Sequence, residues 1–117
     1  MNELVQRIVN KIGLDQAKTE RSVGLILGFL QAEGPAGKVS ELIAAMPGAE
    51  AMMAEAAYKP GFMGGVMGLG TQLMAMGMGM GEIGGVAKET IRFAREKAGD
   101  GPIDEVVASI PGLGQFI

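Results

Sequence analysis

The chain has 117 residues, neither Cys nor His, and a net charge of −3. That is enough for one core, and it excludes a disulfide framework, a thiolate nucleophile and a zinc site built on Cys or His. Lys and Arg are interspersed with acids rather than gathered in a stripe, so nucleic acid is not an expected partner.

Nearly half the residues are apolar, yet there are ten Met against four Phe and one Tyr. Ala, Leu, Met, Glu, Lys and Gln dominate, and alternating runs are absent. This is the inventory of an all-α protein with an aliphatic, deformable core. In the first segment Leu4, Val5, Ile8, Val9 and Ile12 recur at helical spacing from about Asn2, with Glu3 and Arg7 paired four apart outside and Gly13 placed to end the helix. Asp15 is a natural N-cap for a second helix carrying Val23, Ile26, Leu27 and Leu30, which should end near Ala32 at the breaker run EGPAG. A shorter third helix holds Val39, Leu42, Ile43 and Met46 and stops at Pro47-Gly48. AEAMMAEAAY continues as another short helix up to Lys59-Pro60-Gly61. At the N-terminus Glu3 stands where a signal peptide wants positive charge, and Arg7 and Lys11 interrupt the apolar stretch. A cytoplasmic protein is the simplest expectation.

Shifted against itself by 64 positions, the chain aligns without a gap. Identities fall at Gly13/Gly77, Phe29/Phe93, Gly37/Gly101, Glu41/Glu105, Ala44/Ala108, Pro47/Pro111 and Gly48/Gly112. Core positions pair conservatively: Val5/Leu69, Ile12/Met76, Leu14/Met78, Leu27/Ile91, Leu42/Val106 and Met46/Ile110. The expected architecture is a compact helical bundle of two tandem units, 1–53 and 65–117, joined by a linker at 54–64. Neither unit buries its apolar face well alone, so the two should pack about a pseudo-two-fold axis.

The first half, with KIGLDQAKTERSVGLILGF followed by KVSELIAAMPGAEAMM, resembles small bacterial helical proteins of the uncharacterised Vcg type. The shared pattern is a Gly-hydrophobic-acidic helix start, here Gly13-Leu14-Asp15, and a later Ala-hydrophobic-Pro-Gly stop, here Ala45-Met46-Pro47-Gly48. The second unit keeps Ile110-Pro111-Gly112 but has Gly79 in place of the acidic cap. The resemblance implies a helical fold and carries no activity.

Residues 61–81, GFMGGVMGLGTQLMAMGMGMG, are the most unusual stretch. They are long enough to span a bilayer and place small residues four apart, but their many Gly add little apolar area and Thr71-Gln72 sit at the centre. A membrane span is therefore not favoured. Gly77-Met78-Gly79 aligns with the turn Gly13-Leu14-Asp15, so a break is expected there, leaving Gly68, Gly84 and Gly85 to be explained by close helix packing. The Met run Met63, Met67, Met74, Met76, Met78 and Met80 reads first as ordinary core, because Met76 and Met78 align with the core positions Ile12 and Leu14 of the first unit. The alternative is an adaptable apolar groove for a lipid tail or partner helix.

Lys88, Arg92 and Arg95 share a helix face, with Arg92 and Glu96 expected to pair four apart. Lys88 and Arg92 align with Gly24 and Gly28, so one face is long-chained in one unit and bare in the other. The bare face is expected to receive a helix from the partner unit or from a second protomer, which makes Gly24, Gly28, Lys88 and Arg92 the candidate interface. Asp104, aligned with Ser40, reads as a helix cap rather than a catalytic acid. Ser22, Ser40 and Ser109 lack an activating base, and GLGTQL lacks the Lys-Ser/Thr of a P-loop. The expectation is a non-enzymatic interaction module without cofactor or metal, binding a protein partner or itself. An apolar ligand or membrane association is the alternative.

Overall fold

Asp15 does what its position suggests: its carboxylate accepts the Lys18 backbone N–H at 2.7 Å and starts the first long helix. A computed structural model of the chain describes residues 3–60 and 64–115. Within them the elements run α1 (Glu3–Ile12), α2 (Gln16–Glu33), α3 (Ala36–Ala45), α4 (Ala49–Ala56), α5 (Gly65–Ala75), α6 (Met80–Ala98), α7 (Asp100–Ser109) and a closing 3-10 turn (Leu113–Gln115). The protein is an all-α bundle with a radius of gyration of 12.6 Å, near the ~13 Å of a packed chain of about this length. One contiguous core takes Leu4, Val5 and Ile8 from α1, Val23, Leu27 and Phe29 from α2, Val39 and Leu42 from α3, Leu73 from α5, Val86 from α6 and Ile103 and Val106 from α7.

The long helices α2 and α6 begin at Gln16 and Met80, 64 positions apart, and α3 and α7 are offset by the same amount at both ends. The turns before α2 and α6 each pass through a left-handed glycine, Gly13 at φ 84° and Gly77 at φ 90°, a conformation a side chain resists. Packing is crosswise: α1 lies on α6, α5 on α2, and α3 against α7. The end of α4 lies three residues inside the segment expected to be linker.

The break expected near Gly77 is present, since α5 stops at Ala75 and α6 starts at Met80. Residues 61–81 are therefore not one continuous helix, and among the described residues no helix is long and apolar enough to cross a membrane. Gly79 brings no side chain to the start of α6, and Glu82 compensates by accepting the Gly79 N–H at 2.9 Å. Close packing explains Gly85, where a Cβ would lie 2.7 Å from the Ile12 Cδ1. It does not explain Gly84, where a Cβ would meet nothing within 4 Å. Gly84→Ala should therefore raise stability by about 0.5–1 kcal/mol through helix propensity alone, visible as a higher urea midpoint at unchanged slope.

The two first helices are anchored unequally. Leu4 and Ile8 of α1 are buried, 1% and 0% exposed. The aligned positions in α5 are Gly68, which has no side chain to bury, and Gln72, whose amide Nε2 donates to the Lys59 carbonyl at 3.0 Å. Leu69 and Leu73 are the buried side chains that hold α5 down. Its glycines at 65, 68 and 70 each cost up to about 1 kcal/mol of helix propensity. An 11-residue helix is marginal without tertiary packing.

Candidate interaction surface

Gly24 and Gly28 are already occupied. A Cβ on Gly24 would run into the Met52 carbonyl oxygen and lie 2.7 Å from the Ala56 Cβ, while one on Gly28 would lie 2.6 Å from the Tyr58 Cβ. The helix received by this face is α4, together with Tyr58, from the chain immediately downstream of α3. This corrects the expectation of a helix from the partner unit or a second protomer: Pro47-Gly48 turns the chain back, and Gly48 at φ 80° lets α4 fall directly on α2. Tyr58 closes the contact edge-on to Phe29, with ring centroids 6.0 Å apart. Burial, and then the Glu33 carboxylate, pushes its hydroxyl above the ordinary tyrosine range.

Lys88 and Arg92, at the aligned positions of α6, are exposed. They border a shallow depression of about 290 Å³ with Ile91 and Arg95. Most of its charge is compensated. Arg92 bonds Glu89 at 2.7 Å rather than Glu96, because Arg7 reaches across from α1 and takes Glu96 in a two-pronged pair at 2.6 and 2.7 Å. That guanidinium holds the Glu96 carboxyl below its usual range. Arg95 binds Asp104 at 2.6 Å, which raises the Arg95 pKa and makes Asp104 an ion-pair partner in the middle of α7 rather than a cap. Lys88 has no carboxylate partner among the described residues. Glu89 is 5% exposed, and its Oε1 accepts from Lys11 at 2.9 Å and from Arg92. Its Oε2 is buried without a partner.

The Met run divides. Met78 is buried and Met76 packs against the core; these are the members that align with Leu14 and Ile12. Met67, Met74 and Met80 are 64%, 54% and 61% exposed, and Met63 lies outside the described residues. Met67 and Met74 stand two turns apart on one face of α5, and Met80 opens α6. At the aligned positions the first unit carries Glu3, Asn10 and Gln16, all exposed. Between them Gln6, Arg7 and Glu20 are matched by Gly70, Thr71 and Gly84. At these positions polar and charged side chains of the first half stand against Met, Gly and Thr in the second. Sequence reasoning included Met80 in the methionine run but weighed that run as core; the polar-for-Met exchange at the 64-residue offset was there to set Met67, Met74 and Met80 apart.

Among the described residues no group of three acids is placed to hold a metal ion. Comparison with protein-family models, curated proteins and solved structures found no match.

Proposed function

We propose that the protein is a non-enzymatic self-association module, with a second copy of the chain seated on the face formed by Met67, Met74 and Met80. The observation that carries this reading is the exchange of Glu3, Asn10 and Gln16 for three exposed methionines at aligned positions. Isolated surface methionines need no explanation, but two on one face of α5 and a third at the start of α6, with bare Gly84 one turn further on, make an adaptable apolar face. The same face on two copies is self-complementary about a two-fold axis, the commonest symmetry of small assemblies. The three methionines themselves bring no local like-charge repulsion to the contact between two chains of net charge −3.

The reading rests on two units descended from one ancestral unit and related by a pseudo-two-fold axis. The shared 64-residue offset of helix boundaries and the crosswise packing of α1 and α5 support it. In that history the first unit kept a solvated surface and the second became the binding half.

The test restores the first unit's residues to the second. Met67→Glu with Met74→Asn and Met80→Gln should turn an oligomeric parent into a monomer by native mass spectrometry, with helicity unchanged by circular dichroism. A parent that is monomeric throughout, or a triple variant of unchanged mass, would refute the reading.

A further inference from the structure

We infer that the seam between α5, α2 and α6 is a binding site for a single-tailed anionic amphiphile of the fatty-carboxylate class, its tail beneath α5 and its head against Lys88. The inference concerns the inner face of α5 and stands whether or not the outer, methionine face self-associates.

The seam holds a cavity of about 30 Å³ whose walls include Ile26, Phe29, Leu69, Gly70, Ile83 and Ile91, and no polar atom faces it. A space of this kind offers a water nothing to bond and so receives only apolar atoms. On α5 its wall is formed by Val66, Leu69, Gly70 and Leu73. A Cβ on Gly70, itself a wall residue, would meet nothing within 4 Å.

The cavity is partly open to the surface but smaller than an alkyl chain, so a tail enters as α5 moves outward. The helix best able to move is the one with three glycines and two buried anchoring side chains. A slender, unbranched chain opens such a seam least.

The head is chosen by charge. Ile91 forms part of both the apolar cavity and the neighbouring depression that carries Lys88, Arg92 and Arg95. Arg92 and Arg95 are engaged by Glu89 and Asp104, which leaves the Lys88 ammonium to meet a carboxylate leaving the seam. Position and sign together favour an anionic amphiphile over a neutral one.

Laurate, dodecanol and anionic phospholipid vesicles, each titrated into the protein by calorimetry, test this. Laurate should bind saturably at one site, and dodecanol about fivefold more weakly for want of the charge. Lys88→Glu should weaken laurate about tenfold and leave dodecanol unchanged. Gly70→Leu fills the cavity and should abolish binding of both; Gly70→Ala, which adds only a methyl, should weaken both while melting no lower than the parent. The inference is overturned by an absence of saturable laurate binding, by binding to vesicles alone, or by undiminished affinity in both Gly70 variants.

Discussion

Gly24→Ala should cost about 2–3 kcal/mol, although alanine is the better helix former by about 1 kcal/mol. The added methyl points at the Met52 backbone carbonyl and the Ala56 Cβ, and a backbone oxygen inside a helix cannot swing aside as a side-chain tip can. Either α4 lifts off α2, exposing Ala49, Met52 and Ala56, or α2 bends. In a domain of about 5–15 kcal/mol total stability this is a large fraction. Chemical denaturation measures it, and a midpoint equal to or above the parent's would mean that α4 is not seated as described. Gly84→Ala makes the comparison informative, since the same chemical change has the opposite expected sign where no neighbour faces the new methyl.

Glu89→Leu should raise stability by about 1–4 kcal/mol, the range found when buried charge gives way to well-packed apolar side chains. Removing one partner of a buried ion pair is normally costly because the other charge is stranded. Here Lys11 and Arg92 have side chains 55% and 58% exposed, against 7% for Glu89, so both cations return to water. The Oε2 that now lies buried without a partner disappears with them. Leu25, 64 positions earlier in the sequence, is buried at 6% exposure. Urea denaturation at neutral pH is sufficient to measure the change, and a loss of stability would show that the Lys11 bond is what holds α1 on α6.

Much of the fold was legible because its signals are local. Asp15, Gly13, the Pro47-Gly48 stop and the apolar spacing of α1 to α3 each act within a turn or two of themselves, and the turn at Gly77 followed from alignment with Gly13. What the sequence hid was the identity of neighbours. The bare Gly24/Gly28 face announced that a helix would be received, but periodicity is blind to which helix, and the answer lay just downstream. Arg92 had two acids within reach on its own helix, Glu89 and Glu96. The choice was made by Arg7, 89 residues away from Glu96 in sequence. Close packing was the wrong reason for Gly84. The methionines were misjudged as a group because the run was read as one property; position by position against the first unit, Met76 and Met78 go inside while Met67, Met74 and Met80 go out.

The helix α5, with Met67 and Met74 exposed outside and an apolar cavity beneath it, is the element the fold leaves free to bind. Amide hydrogen exchange compares it directly with its counterpart. The Leu69–Ala75 amides of α5 should exchange by local opening well before the Ile8–Ile12 amides of α1, whose helix is held by Leu4 and Ile8 and by the Arg7 and Lys11 ion pairs. Protection in α5 equal to that in α1 would contradict the account.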